Sequence, residues 1–320
     1  YGEPKYFDLI VNNIVDIKED GSFKLNQHYF DYLSGLKMTN TNFSNLFKMP
    51  VRKSDNEPLQ QFHMDVAASI QKVTEEIMLK MCRFLKKEFE IENLCLAGGV
   101  ALNCVANGKI YKENIFKNIW IQPASGDAGG AVGSALAIYY EELKNNRVVS
   151  YNDGMHGSYL GPILKNETIK KELDEVGAIY HERDENNLIN DISTDLSKGK
   201  AVGWFQGRME FGPRALGSRS ILADPRSPSM QKNLNLKIKF RESFRPFAPS
   251  ILKEDLSNWF KINTDSSYML LVSEINSNKK IEMSDDQNNL FGIEKLNIKR
   301  SEIPAVTHVD YSARIQTVDG

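Results

Sequence analysis

Cysteine is scarce in this 320-residue sequence: Cys82, Cys95 and Cys104 are the whole supply, and no C-x-x-C pair occurs. Three thiols cannot build a disulfide framework in a chain of this length, and a cysteine-based structural zinc site is disfavoured on the same count. The expected setting is a reducing, cytoplasmic compartment. Histidine is almost as sparse. His28, His63, His156, His181 and His308 are scattered, without H-x-x-x-H or H-E-x-x-H, so sequence neighbours cannot assemble a complete metal site. No apolar run reaches the ~18 residues of a membrane span, and no signal-peptide pattern opens the chain. The common phosphate and nucleophile motifs are missing too: there is no G-x-x-x-x-G-K-[ST], no G-x-G-x-x-G and no G-x-S-x-G.

An excess of one charge is also lacking, with 40 Lys+Arg against 42 Asp+Glu and a net charge of −2. That balance excludes a uniformly basic nucleic-acid binder and an acidic solvating tail. What is there is a local excess. Residues 201–253 carry ten Lys/Arg and three Asp/Glu, a local +7 that leaves −9 for the remainder. Arg208, Arg214, Arg219, Arg226, Arg241 and Arg245 are six of the twelve arginines in the chain. One reading is a basic helix face in water, but such a face normally mixes Lys with Glu. Here the arginines alternate with Gly207, Gly212, Pro213, Gly217, Pro225 and Pro246, and with Phe211, Phe240, Phe244 and Phe247. This is loop chemistry around a site. Arginine's planar fork grips phosphate or carboxylate through two parallel bonds, so the expected ligand is small and phosphorylated. The island is short and has no RRM, KH or zinc-finger pattern, which disfavours nucleic acid.

The length corresponds to about two domains at roughly 150 residues each. Residues 1–56 read as irregular. Phe62, Val66, Ile70, Val73, Ile77, Met81 and Phe84 recur every three or four positions, predicting a core-facing helix over about 58–90 with Pro58 in its first turn. Two strands follow, at 93–97 and 118–122, each leading into a glycine-rich loop and a helix. Alternating strands and helices predict an α/β layer architecture. Residues 146–165 read as a linker, with the domain boundary near 150. Polar helices are expected over 166–197, and strands at 200–205, 247–252, 268–275 and 303–309. Residues 276–302 read as an exposed polar insertion.

A glycine loop between strand and helix offers free backbone N–H groups and the positive end of a helix dipole to an anion. Gly98 and Gly99 let a ligand approach the backbone, and Asn103 could bond a ribose or base. In the second loop Asp127 is either a helix N-cap or a ligand for a phosphate-bound metal; pattern alone favours the cap.

Five stretches carry a resemblance: LCLAGGVALNCVANGKI (94–110), IQPASGDAGGAVGSAL (121–136), GWFQGRMEFGPRALGSRSILADPR (203–226), FRPFAPSIL (244–252) and IPAVTHVDYSARIQTV (303–318). Together they resemble the carbamoyltransferase family of nodulation-protein and antibiotic O-carbamoyltransferase type, over most of the chain. The resemblance implies an α/β fold in two parts. Residues 1–150 would form the C-terminal half of a nucleotide- and metal-binding carbamoyl-transfer domain of acetate-kinase/heat-shock/actin type. Residues 151–320 would form an incomplete domain like threonylcarbamoyl-adenylate synthase.

The implied activity is ATP-dependent. Carbamoyl phosphate and ATP give carbamoyl-adenylate, and the carbamoyl group passes to a hydroxyl of a small acceptor. The resemblance implies nucleotide contacts at Gly98, Gly99, Asn103, Gly126 and Gly129. It implies a divalent metal, of iron or magnesium type, on Asp127, which reverses the N-cap preference. It also implies that Arg208, Arg214, Arg219 and Arg245 hold carbamoyl phosphate and the ATP phosphates. A homodimer is allowed, and no membrane partner is expected. The family's H-x-x-x-H pair is expected upstream of residue 1 and an N-T-S-F-N-like loop beyond residue 320, so this piece alone is expected to be inactive. Two rival readings are a threonylcarbamoyl-type tRNA-modification protein, which the acidic remainder of the chain disfavours, and a non-catalytic nucleotide-binding module.

Overall fold

The computed structural model describes residues 1–53, 57–149 and 153–319. It is a mixed α/β structure in two compact units. The first comprises Tyr1–Leu94, Lys109–Ile119 and Asn288–Lys295, and the second Cys95–Gly108, Trp120–Gln287 and Leu296–Gly320. The expected boundary near 150 falls on residues 150–152, outside the described residues.

The first unit is more ordered than its sequence suggests. Helix α1 (Phe7–Asn13) leads into the antiparallel pair β1 (Val15–Ile17) and β2 (Phe23–Leu25), and α2 (Thr41–Phe47) follows. The expectation of an irregular start is therefore wrong. These short elements hold together because Ile10, Ile14, Val15, Phe47 and Val73 bury one another, with Tyr6, Phe43, Phe62, Val66 and Ile77 packed around them. Asn40 caps α2, its side-chain oxygen accepting from the N–H groups of Asn42 and Phe43. The long helix α3 spans Gln61–Phe89, beginning three residues after Pro58. His63 Nδ1 accepts from the Gln60 N–H at 3.0 Å and so serves as part of the helix cap. The predicted stripe is only partly core, since Ile70, Met81 and Phe84 are exposed. Over 29 residues a helix cannot keep one row of side chains facing one core.

Strands β3 (Asn93–Leu96) and β4 (Asn118–Ile121) pair with each other. A single 3₁₀ turn, Gly99–Leu102, precedes α4 (Cys104–Lys112), and α5 runs Asp127–Ala137. Two polar helices, α6 (Asn166–Glu175) and α7 (Glu185–Ser197), come next. Strands β5 (Val202–Phe205) and β6 (Arg219–Leu222) form an antiparallel hairpin, and α8 (Met230–Asn233) continues as a wider turn to Ile238. Beyond β7 (Ser250–Leu252) lie the short α9 (Leu256–Trp259) and β8 (Leu271–Glu274). The central strand of the last sheet is β9 (Ser312–Val318), parallel to β7 and antiparallel to β8.

Two expectations are corrected here. The apolar run 303–309 is not a strand. Thr307 Oγ1 donates to the Ile303 carbonyl at 2.9 Å and Val306 N–H to the same carbonyl at 3.2 Å, which coils the segment, and the strand starts at Ser312 instead. Nor is 276–302 wholly exposed: Arg300 and Ser301 have no accessible surface. Arg300 donates to the carbonyls of Leu296 and Ile298 and to that of Thr307 in the coiled segment, giving buried backbone acceptors a partner.

Candidate functional site: a cradle of arginines

Every expected site residue lies in the second unit. The 206–218 loop closes the β5–β6 hairpin, with Gln206 N–H on the Ser218 carbonyl at 3.1 Å. Its organiser is Glu210, whose side chain has no accessible surface. Oε1 accepts from the N–H groups of Leu216 and Ser218, both at 2.7 Å. Oε2 lies 3.3 Å from Arg219 Nε, an ion pair without hydrogen-bond alignment. Arg219 also donates through Nη2 to the Gly212 carbonyl at 2.6 Å. Gly212 and Gly217 have φ of 128° and 122°, a backbone region closed to side chains with a Cβ. A Cβ on Gly212 would also sit 3.3 Å from that of Ala124.

That approach brings the loop against the strand-end turn that begins the glycine-rich segment. Gly129 is needed there for a second reason: a Cβ would stand 2.2 Å from the Ala124 carbonyl oxygen. Gly98, Gly99 and Gly126 face open space, and Gly98 has φ 91°. Asn103 Oδ1 accepts from the Ala106 N–H at 3.1 Å, so its side chain caps α4. Gly126, not Asp127, is the cap residue of α5, and Asp127 is its first helical residue, exposed and without a capping bond. The N-cap reading of Asp127 is corrected on that geometry.

The arginines divide by what already holds them. Arg208 is exposed and donates to the Gly161 carbonyl at 2.9 Å. The backbones of 158–162 and 209–211 are laced together by three further bonds, among them Phe211 N–H on the Ser158 carbonyl at 2.7 Å, so this part of the expected linker is docked. Arg226 makes a forked pair with Asp224. Arg245 Nε pairs with Glu242 at 2.9 Å. Arg241 Nε donates to Asn235 Oδ1 at 2.6 Å, and its guanidinium lies over the Phe247 ring. Buried Asn235 and Gln231 in turn donate to the Arg245 carbonyl at 2.8 and 3.2 Å, fixing the 241–247 loop.

Arg214 differs from these. Its Nη2 donates to the Leu102 carbonyl at 3.0 Å, and among the described residues its Nε is buried without a partner and no carboxylate neutralises it. Burial, followed by repulsion from Arg314, lowers its affinity for the proton. Arg314, on β9 opposite Val272, likewise has a buried Nε without a partner among the described residues. Arg241 is also depressed, by burial first and then by Arg245 and Arg314. Reading charge along the sequence missed Arg314, because it lies outside the 201–253 island. Its signal was its place in SARIQTV, a strand the β9 sheet sets beside the arginine loop. Gln316, two residues on, donates to the Leu216 carbonyl at 2.8 Å and anchors β9 to that loop.

Among the described residues no group of three or more His, Cys, Asp or Glu is gathered to hold a metal ion. Asp127 offers one carboxylate, so these residues do not by themselves fit a divalent metal. No described helix is long and apolar enough to cross a membrane.

The family of the chain follows from comparison. Residues 1–136 match the family described as carbamoyltransferase N-terminus, and residues 193–320 match carbamoyltransferase C-terminus. The chain belongs to the carbamoyltransferase family. Among particular relatives, the Synechocystis sp. protein sll1178 is 55% identical over 320 residues, covering 99% of this chain and 52% of its own length. Nodulation protein NolO of Bradyrhizobium diazoefficiens is 33% identical over 99% of this chain and 52% of its own. Nodulation protein NolNO of Sinorhizobium fredii is 33% identical over 99% of this chain and 42% of its own. The chain thus spans about half the length of these relatives.

Proposed function

We propose that this chain is the part of an ATP-dependent O-carbamoyltransferase that activates and hands on the carbamoyl group. The observation that carries the reading is the arginine cradle: cationic forks in a carbamoyltransferase chain, set around a loop that abuts a glycine-rich turn. Carbamoyl phosphate is a dianion with a planar acyl end, which suits several fork donors. By atom balance, carbamoyl phosphate, ATP and water give carbamoyl-adenylate, pyrophosphate and orthophosphate. A hydroxyl of a small acceptor then takes the carbamoyl group and AMP leaves. Negative charge builds on the α-phosphorus oxygens and the departing pyrophosphate, and fixed guanidinium groups stabilise it without having to reorganise.

In this reading Arg208, Arg214, Arg219 and Arg245 face the phosphates, and Gly98, Gly99, Gly126 and Gly129 let the nucleotide reach the backbone. Residues 1–150 belong to an actin-like carbamoyl-transfer domain, and 151–320 to a carbamoyl-adenylate-forming domain. Asp127 would be one carboxylate of any metal set. Three free cysteines suit a cytoplasmic enzyme.

The test is radiolabelled pyrophosphate exchange into ATP by the full-length protein. Exchange that needs carbamoyl phosphate, and that falls at least tenfold in Arg214→Ala, is expected. Exchange indifferent to carbamoyl phosphate sinks the reading. The 320-residue chain alone is expected to transfer little or nothing.

A further inference from the structure

Residues 241–247 carry two of the island's arginines on a stretch with neither helix nor strand. Such a segment has no ladder to fix its course, and its carbonyls need partners from elsewhere. Three successive carbonyls, those of Ser243, Phe244 and Arg245, are held by two side-chain amides. Asn235 Nδ2 donates to Ser243 at 3.1 Å and to Arg245 at 2.8 Å, and Gln231 Nε2 donates to Phe244 at 3.3 Å and to Arg245 at 3.2 Å. Asn235 Oδ1 accepts from Arg241 Nε at 2.6 Å, and its backbone carbonyl accepts from the Arg241 N–H at 3.0 Å. Both donors of one amide and its acceptor thus serve a single loop. Asn235 has no accessible surface, and Gln231 is buried as well. Burying an amide costs free energy unless its polar atoms are bonded, and a Leu would fill the same space without that cost. Met230 and Leu234 do fill space that way, packing with Ala305 and, at the edge, Phe247. Asn235 stands in the wide turn Leu234–Ile238, closed by Lys239 N–H on the Leu234 carbonyl at 2.9 Å, a helix form that recurs at functional sites.

We propose that Asn235 is a positioning residue of this carbamoyltransferase: its amide sets the course of residues 241–247, and through it the direction in which the Arg241 and Arg245 forks point. Asn235 pins the Nε edge of Arg241 while the Phe247 ring supports the guanidinium face, 5.2 Å from the ring centroid. Glu242 and Arg245 remain exposed on the same loop. An arginine held at Nε and on one face keeps its outer nitrogens aimed in advance, so a ligand that meets them immobilises little further side-chain freedom. The use made of these forks rests on the carbamoyl-phosphate and ATP reading above; the clamp on the loop does not.

Two substitutions take the clamp apart. Asn235→Asp keeps the shape and the acceptor for Arg241 but sets an oxygen against the Ser243 and Arg245 carbonyls. Asn235→Ala removes donors and acceptor together. In the full-length protein, carbamoyl-phosphate-dependent pyrophosphate exchange is measured alongside the rate of trypsin cleavage after Arg241. Both variants are expected to raise the KM for carbamoyl phosphate at least tenfold, with kcat within about threefold of wild type, and to be cut selectively after Arg241 at least tenfold faster. A merely structural role would not give that split, because a fraction of unfolded enzyme lowers kcat and leaves KM where it was. A wild-type KM in Asn235→Asp overturns the proposal, as does a fall in kcat alone. Should neither Asn235 variant fold, Gln231→Met decides: a KM raised at least threefold supports the clamp, and a wild-type KM overturns it. A wild type without carbamoyl-phosphate-dependent exchange overturns the activity instead. The clamp is then judged by cleavage, where faster cutting after Arg241 in Asn235→Asp supports it and an unchanged rate overturns it.

Discussion

Glu210 shows how much one side chain can organise. Its buried carboxylate satisfies two backbone donors and neutralises a guanidinium. Glu210→Ala strands all three, and the expected loss is about 3 kcal/mol or more in urea unfolding. A loss under about 1 kcal/mol would show that the loop folds without it. Asp65 plays a comparable part in the first unit. Its Oδ1 accepts from the Glu3 N–H at 2.9 Å and from Gln61 at 2.7 Å, and Lys5 lies 3.2 Å from Oδ2. Burial raises its carboxyl affinity for the proton, but these donors outweigh burial and hold it below the usual value. A depressed carboxylate contributes stability above the unfolded value of about 4 and loses it as the pH falls further. The wild-type melting temperature is therefore expected to drop more steeply below about pH 4 than that of Asp65→Asn; parallel curves would remove Asp65 from this role. Neither residue stood out in the sequence, because a carboxylate's importance here comes from what surrounds it. The arginines were legible, since six of them among glycines and prolines make little sense as a solvated face.

At the scale of elements, the segments with strong periodicity were readable and the short ones were not. The long helix, the strand preceding each glycine loop and the paired helices before β5 all follow from apolar spacing and turn residues. The small elements of residues 1–53 do not, because each is stable only against the others: Phe47 and Val73 share a core with Ile10 although the sequence keeps them far apart. The 303–309 run was misread because its apolar residues are buried by a coiled turn, and burial alone does not distinguish a turn from a strand. Close approach between elements is similarly invisible in sequence. Helix α4 lies so near β8 that a Cβ on Gly108 would stand 2.4 Å from the Val272 carbonyl oxygen. Asn107, beside it, donates to the Leu270 carbonyl at 3.1 Å. Gly108→Ala must push helix and strand apart, at an expected cost of about 1–3 kcal/mol. Equal unfolding midpoints for the variant and wild type would contradict that packing.

For the molecule as a whole, overall charge says nothing of the arginine loop and local charge marks it, whereas the strand that Gln316 fastens to that loop is evident only once β9 is placed. The cradle's long-range bonds also carry a meaning in time. Arg214 reaches a carbonyl 112 residues earlier in the chain, and Gln316 reaches one 100 residues earlier. Contacts this distant in sequence incur their loop-closure entropy before they return any stability, so they form late. A ribosome releases the glycine turns first, the arginine loop next and β9 last of all. Until that final strand docks, Arg314 is absent and Leu216 is not anchored. The nascent chain therefore passes through synthesis with its arginine loop tethered at one side only, and a message cut short before β9 yields a protein in which that loop is never fastened at Leu216.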